Sequence, residues 1–244
     1  MRVRTSTDHS GTRYLKARDL DSVLATDHHS NLTNIAPSTD PSILFASGGT
    51  CIVQPEVTQG PYYIASELIR RNVVEDQQGV PLFMDIQLID TNTYEPLPSI
   101  YTDIWHCDAM GVYSGVVAGG NGNENDESNL NTTFLRGVQP SGKDGVLSPA
   151  PPMKPNIFST EPSRACMMAT PRALVKSSSI RICPPRLKRR ISYATNTQDF
   201  TLNKDDMILE TEADTTDPFM EYVLLGDRIS DGKRVDTLSP SEGY

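Results

Sequence analysis

An eleven-residue stretch, DIWHCDAMGVY from Asp103 to Tyr113, brings together side chains of several chemically active types. It holds the only Trp of the chain, Trp105, together with one of the four His, one of the four Cys and a Tyr. Imidazole, thiolate, carboxylate and phenolate groups are the side chains that proteins use to hold metal ions and to move protons. This stretch is therefore the first candidate for a functional site.

The spacing within this stretch is typical of a β-strand. In YTDIWHCDA, which begins at residue 101, successive side chains point to opposite faces, so His106 points away from Trp105 and Cys107. We therefore expect His106 to be a hydrogen-bonded structural histidine and not a metal ligand. A second strand is predicted in PLFMDIQLID, residues 81–90, because its apolar and polar residues alternate with a period of two.

The first two regions of the chain differ in composition. Residues 1–49 are polar and without sustained periodicity, which predicts an irregular N-terminal arm with one helical turn in 18–24. Residues 50–145 hold the predicted strands, a short helical turn in 64–72, and a loop rich in Gly and Asn in 119–129.

The last two regions differ from each other as well. Residues 146–192 are crowded with Pro and Ser, carry one acidic residue and show no alternation, which predicts a disordered segment. From residue 193 to 244 the earlier character returns, and PFMEYVLLGD, residues 218–227, is predicted to form a strand. With 18 Pro and 16 Gly in 244 residues, strands and loops are expected to outnumber long helices.

Charge and hydropathy narrow the choice of partners and compartment. The net charge of -9 opposes a surface that follows nucleic-acid phosphates, and the basic run at 187–191 is interpreted as a solvated patch. No apolar run is long enough to span a membrane, and the first twenty residues lack the apolar core of a signal peptide. Read literally, this predicts a cytoplasmic protein. The sequons Asn31-Leu-Thr and Asn131-Thr-Thr favour secretion instead.

Simple metal and redox motifs are absent from the sequence. The four cysteines, at 51, 107, 166 and 183, form no C-x-x-C pair, which argues against a zinc ribbon or a thioredoxin-type site. Cys51 and Cys107 are expected to be buried thiols in a cytosolic protein, and a disulfide between them is the alternative in a secreted one. The acidic residues in 121–129 lack the spacing of an EF-hand loop, so a solvated loop is favoured over a calcium site.

Five separated motifs, which fall in the same order as in a known family, resemble the fungal, secreted-type branch of the intradiol ring-cleavage dioxygenases. They are TQGPYY, GVPLFMDIQLID, DIWHCDAMGVYSG, SNLNTTFLRGVQ and DPFMEYVLLGDRISDG. The resemblance covers about residues 14–145 and 193–244. It implies a β-sandwich that binds a non-haem ferric ion through two Tyr and two His. It also implies that dioxygen cleaves the ring of a small, catechol-type aromatic diol between its two hydroxylated carbons.

The resemblance assigns roles to individual residues. Tyr113 falls on the first iron-ligand Tyr, so it is both the expected metal ligand and the expected catalytic residue. The segment Gly60, Pro61 and Tyr62 falls on the wall of the substrate pocket, and Trp105 matches a Trp beside it. A tyrosinate suits this role because ferric iron is a hard Lewis acid that prefers anionic oxygen ligands.

The chain departs from the family pattern downstream of Tyr113. The family continues with a Pro-Gly-x-Tyr turn, an Arg and a His-x-His strand, and this chain has no His after His106 and no Tyr between 113 and 193. Three of the four iron ligands are therefore missing, and Fe(III) is not expected to be retained. The expected fold is mostly β: a partial β-sandwich of the intradiol dioxygenase type, with long irregular loops and a disordered insertion.

Two functional hypotheses follow from this departure. The chain is either an intradiol dioxygenase by descent that has lost its activity, or a non-catalytic remnant or aromatic-binding module that keeps part of the pocket. A reading-frame error or a mis-spliced exon in the assigned gene, or a true pseudogene, would explain the missing segment. Codons permitted for residues 175–183, read two bases later, encode the strand-like sequence QIFFDQDL. Sequencing the transcript across codons 146–192 tests this hypothesis, and a clean in-frame message would count against it.

Overall fold

The computed structural model describes residues 19–45, 51–52, 62–65, 68–90, 92–147, 168–171, 196, 202–214, 217–228 and 231–241. Its three short α-helices are α1 (Leu20–Leu24), α2 (Pro41–Phe45) and α3 (Met207–Ala213). Its strands are β1 (Cys51–Ile52), β2 (Leu82–Asp90), β3 (Tyr101–Trp105), β4 (Arg136–Pro140), β5 (Val146–Leu147), β6 (Met168–Pro171), β7 (Tyr222–Leu224) and β8 (Lys233–Ser241). Two 3-10 helices span Glu127–Asn131 and Asn203–Asp205.

The strands form two sheets. The larger sheet has the order β1-β8-β2-β5, with β7 also paired to β8, and the smaller sheet has the order β4-β3-β6. β2 and β8 run parallel over nine residue pairs, from Leu82 opposite Lys233 to Asp90 opposite Ser241. β3 is antiparallel to both of its neighbours. The prediction of a mostly β fold is thus confirmed.

The hydrophobic core lies between the two sheets. Its buried side chains come from β2, β3, β5 and segments outside the strands: Val73, Val74, Leu82, Met84, Ile86, Leu88, Ile104, Val112, Phe134, Leu135, Leu147 and Met220. The alternating apolar residues of β2 face this core, which is why the period-two pattern of residues 81–90 predicts the strand correctly. Apolar faces that cover each other across such a gap define a β-sandwich.

Asp85 is one of the polar residues that alternate with apolar residues along β2, but its carboxylate is buried and does not face solvent. Its Oδ2 accepts a hydrogen bond of 2.8 Å from Nε of Arg234 on β8, whose side chain is also buried. The same guanidinium donates to the carbonyl oxygens of Ala36 and Thr39. The N-terminal segment therefore covers the outer face of the larger sheet, and the sequence pattern of β2 alone does not reveal this cover.

Three other sequence-based expectations have different outcomes. The helical turn predicted in 18–24 is confirmed by α1, whose first turn is capped by the Asp19 side chain. The helical turn predicted in 64–72 is wrong, because residues 68–70 are extended and exchange backbone hydrogen bonds with Val138 of β4. Pairing with a sheet edge satisfies backbone groups that a single helical turn leaves unpaired. In 218–227 only β7 is a strand.

The segment predicted to be disordered, 146–192, contains two of the observed strands. Val146–Leu147 pairs with β2, and Met168–Pro171 pairs with β3 at the edge of the smaller sheet. The other residues of this segment lie outside the described part of the chain. None of the helices that the structure describes is long and apolar enough to cross a membrane.

The buried ion pair between Asp85 and Arg234 yields a prediction about stability. Asp85→Asn leaves the guanidinium without its charged partner in a buried site, and we expect a loss of about 3–5 kcal/mol in the free energy of unfolding. Lys204→Met is the control, because Lys204 and Asp205 form an exposed pair whose removal costs no more than about 1 kcal/mol. Urea unfolding measures both losses, and losses of equal size in the two variants would contradict the structural role of the buried pair.

Candidate aromatic site around Tyr113

Strand β3 ends at Trp105, and the chain then turns to deliver Tyr113. The strand predicted to continue to residue 109 stops earlier, because the Asp108 carboxylate accepts hydrogen bonds from the amides of Met110 and Val112. Gly111 occupies the turn with φ of +80°, a left-handed conformation that glycine adopts without strain. Burial raises the pKa of Asp108, and the amide hydrogen bonds act against this shift.

Tyr113 lies in a buried aromatic cluster. Its ring stacks on that of Tyr62, with ring centroids 4.6 Å apart and planes inclined by 12°. Trp105 and Cys107 complete the cluster, and Tyr63 contacts Trp105 edge-on at 5.6 Å. Tyr113 is only 1% exposed, so its ring is shielded from solvent. Cys107 is buried, and the choice between the two alternatives for the cysteines stays a prediction.

Two buried asparagines fix the backbone at Tyr113. The amide of Tyr113 donates to Oδ1 of Asn121 at 2.7 Å. The side chains of Asn121 and Asn129 each donate to both the Tyr113 and the Val116 carbonyl oxygens, at 2.7–3.0 Å. The sequence predicts only that both residues lie in a loop rich in Gly and Asn. Their burial is found only in the structure.

Arg136, at the start of β4, joins the two aromatic segments. It is buried, and its Nε donates to the Ser114 carbonyl at 2.8 Å while Nη2 donates to the Tyr62 carbonyl at 2.6 Å. In the register of the smaller sheet it lies opposite Trp105. Arg136 lies in the motif SNLNTTFLRGVQ, where the sequence predicts no role for it. Its contact with the two aromatic segments is therefore a finding of the structure.

The predicted site residues have different outcomes in the structure. Tyr62, Trp105 and Tyr113 come together in one cluster. Gly60 and Pro61 lie outside the described residues, and their predicted place in the pocket wall stays a prediction. The roles of Tyr113 as metal ligand and of Tyr62 and Trp105 as substrate-binding residues stay predictions as well.

His106 is a structural histidine, as expected from its position on the strand. Its ring is buried, Nδ1 lies 2.7 Å from the Cys107 carbonyl oxygen, and its backbone amide donates to the Leu135 carbonyl. Burial lowers the pKa of His106 to about 4, and the hydrogen bond to Cys107 opposes this shift. The imidazole is therefore neutral at physiological pH, and at least one of its nitrogens is engaged.

The described residues do not fit a ferric ion held by two Tyr and two His. His28 binds the Asp217 carboxylate through Nε2 at 3.0 Å, and the ring of His29 packs against Tyr222. Together with His106, these are three of the four histidines of the chain. Among the described residues, no three His, Cys, Asp or Glu side chains are grouped so that they could hold a metal ion.

Comparisons with known proteins support the fold. The chain is similar to a solved intradiol ring-cleavage dioxygenase from Tetranychus urticae, with a TM-score of 0.60 and 21% identity over 79% of this chain and 95% of the other. A second solved structure, described as a dioxygenase, gives a TM-score of 0.57 and 21% identity over the same shares. No protein-family model matches the chain, and no curated protein matches it in sequence. The chain thus has the β-sandwich fold of the intradiol dioxygenases.

Asn121 offers a test of how the position of Tyr113 is held. Asn121→Ala leaves the Tyr113 amide unpaired in a buried site, and we expect the free energy of unfolding to fall by about 2–3 kcal/mol. Asn125→Ala, an exposed position of the same loop, is the control and should stay within about 0.5 kcal/mol. Chemical denaturation measures both, and an Asn121 variant as stable as the control would contradict the proposed frame.

His106 makes stability depend on pH. Its pKa is about 4 in the folded chain and 6.5 for an unperturbed histidine, so between these values the unfolded chain binds a proton that the folded chain does not. The free energy of unfolding should then fall as pH falls, by up to about 1.4 kcal/mol per pH unit. Urea unfolding at pH 7 and pH 5 measures this slope. His106→Gln should reduce it, and an unchanged slope would show that other groups are responsible.

Proposed function

We propose that this chain descends from the intradiol ring-cleavage dioxygenases, which act on small aromatic diols of the catechol type, and that it has lost ring cleavage. Two observations support the descent: the shared fold and the motif residues Tyr62, Trp105 and Tyr113, which are far apart in sequence and meet in one cluster. Each of these residues lies in a motif that carries the resemblance.

The loss of activity is supported by the state of the histidines. His28 is paired with Asp217, and the neutral imidazole of His106 is buried against its own backbone. No His follows residue 106 to replace them. A single tyrosinate is a poor site for ferric iron, because the ion needs several ligands to compete with water and hydroxide. The proposed loss of activity rests on one observation: the described histidines, His28, His29 and His106, all make structural contacts.

A second candidate function is aromatic binding without iron. Tyr62, Tyr113 and Trp105 are side chains of the type that lines a pocket for a planar ring. They are buried against one another, so a bound ring would have to displace one of them to reach the others. Such a module would keep the ancestral substrate class and lose the reaction. Trp105 is the only tryptophan, so its fluorescence reports on this cluster alone.

The first measurement is the iron content of the full chain after incubation with ferric salt, together with the visible absorption of an iron–tyrosinate complex. We expect no stoichiometric iron and no visible band, because three of the four ligands of the family pattern are missing. Tyr113→Phe is the matched variant and should behave like the parent chain. One iron per chain with a band that disappears in Tyr113→Phe would contradict the proposal.

Titration with catechol in the absence of iron separates the two candidates. A saturable change in Trp105 fluorescence would favour the aromatic-binding module, and no change would favour a chain without a retained ligand. Trp105→Phe, titrated in parallel, should show no signal and so corrects for absorption by the ligand itself.

A further inference from the structure

Both sequons of the chain lie in the described residues, and both present their asparagine to solvent. Asn131 is the last residue of the 3-10 helix Glu127–Asn131, and Asn31 follows the bridge between His29 and Tyr222. Loops are the positions where a bulky, hydrophilic group on Asn-x-Thr is tolerated in a folded domain. The two sites therefore meet the first structural requirement for a modified asparagine.

Asn131 differs from its neighbours in the same loop. Asn121 and Asn129 are buried, and their side chains hold the backbone at Tyr113. Within the described part of the chain, the side chain of Asn131 makes no hydrogen bond. A substituent on Nδ2 of Asn131 would thus break no contact among the described residues.

The threonine of this sequon is occupied in the folded chain. The Thr133 hydroxyl donates to Oε1 of Glu75 at 2.6 Å. A transferase that reads the hydroxyl of Asn-x-Thr has to reach it before this bond forms. The order of events is then modification of the emerging chain first and docking of Thr133 on Glu75 afterwards.

An exposed apolar cleft lies next to Asn131. It has a volume of about 180 Å³ and is lined by Ile64, Ala65, Leu68, Arg70, Gly115, Leu130, Thr132, Thr133 and Arg136. Leu130 and Leu68 are 57% and 52% exposed, so apolar area faces solvent here. Asn131 lies between two lining residues, Leu130 and Thr132. This apolar area is open to a ligand or to a group attached beside it.

We propose that Asn131 is an N-glycosylation site when the chain is translocated into a secretory compartment, and that its first sugars lie over this cleft. In the transfer, Nδ2 of Asn131 forms a bond to the anomeric carbon of an oligosaccharide carried on a polyprenyl pyrophosphate. The bond from that carbon to the phosphate oxygen breaks, the pyrophosphate leaves with the electron pair, and the amide releases one proton. Neither redox chemistry nor the iron site takes part, so the proposal is independent of the lost ring cleavage.

The glycan fits this cleft for two reasons. It is tethered between two of the lining residues, so its local concentration at the cleft is high. The C–H faces of sugar rings are apolar enough to cover Leu68 and Leu130, while the hydroxyl groups stay in water. The glycan then lowers the apolar exposure of a surface that the described chain leaves open.

Secretion of the full chain behind a cleavable leader in a eukaryotic host tests the site. We expect the secreted protein to lose mass on treatment with an endoglycosidase that releases N-linked glycans. The loss at this site should disappear in Asn131→Gln and in Thr133→Ala. It should persist in Thr133→Ser, which keeps the sequon, and in Asn125→Gln, which changes an exposed asparagine outside any sequon. A secreted chain that carries a glycan at Asn31 alone, or none at all, overturns the proposal.

A second measurement tests the cover over the cleft. Binding of a dye that fluoresces on apolar surfaces should increase when the glycan is removed, and this difference should be lost in Leu130→Ser. Equal dye binding with and without the glycan overturns the covering role. A glycosylated chain that still dimerises, with dimerisation abolished by Leu130→Ser, overturns it as well and assigns the cleft to a second copy of the chain.

Discussion

The aromatic site depends on the hydrogen bonds that the buried guanidinium of Arg136 donates to two separate segments of the chain. Arg136 lies on β4, opposite Trp105, and donates to the carbonyl oxygens of Ser114 and Tyr62. A buried charge costs several kcal/mol unless polar groups surround it, and here backbone carbonyl dipoles provide them. Since these carbonyls belong to two separate segments, both hydrogen bonds form only when both segments dock. The docking also brings Tyr62 onto Tyr113, so one electrostatic requirement assembles the cluster.

The residues that hold Tyr113 in place are distinct from the ligands that a metal ion would need. The backbone at Tyr113 is fixed by Asn121 and Asn129, and its ring is covered by Tyr62. Such an environment holds a phenol in one position, which is a requirement of a metal ligand but also of an ordinary core residue. The remaining ligands decide between the two roles. In this chain the described histidines are used for packing and for hydrogen bonds, among them the bond of His28 to Asp217.

The N-terminal segment makes more contacts with the rest of the chain than its polar, aperiodic sequence predicts. Arg234 binds both Asp85 and the carbonyls of residues 36 and 39, and His28 pairs with Asp217 near the end of the chain. The side chains of α1 and α3 share a small core of their own. These contacts join residues almost 200 positions apart. The sequence of the arm is mostly polar and aperiodic, and it does not reveal these contacts because their partners lie far away along the chain.

Periodicity and local turn chemistry by themselves determined β2, most of β3, the helical turn of α1 and the mostly β character of the chain, because the alternation of side chains and the Asp19 cap are local. The motif order indicated the fold, and the predicted strand through residue 106 indicated a structural imidazole, although the observed strand ends at Trp105. Only the tertiary structure decided that Asp85 is buried, that residues 68–70 pair with β4, and that Asn121, Asn129 and Arg136 frame Tyr113. Each of these depends on a partner more than a few residues away, and a polar side chain carries no local sign of whether water or a distant carbonyl will satisfy it.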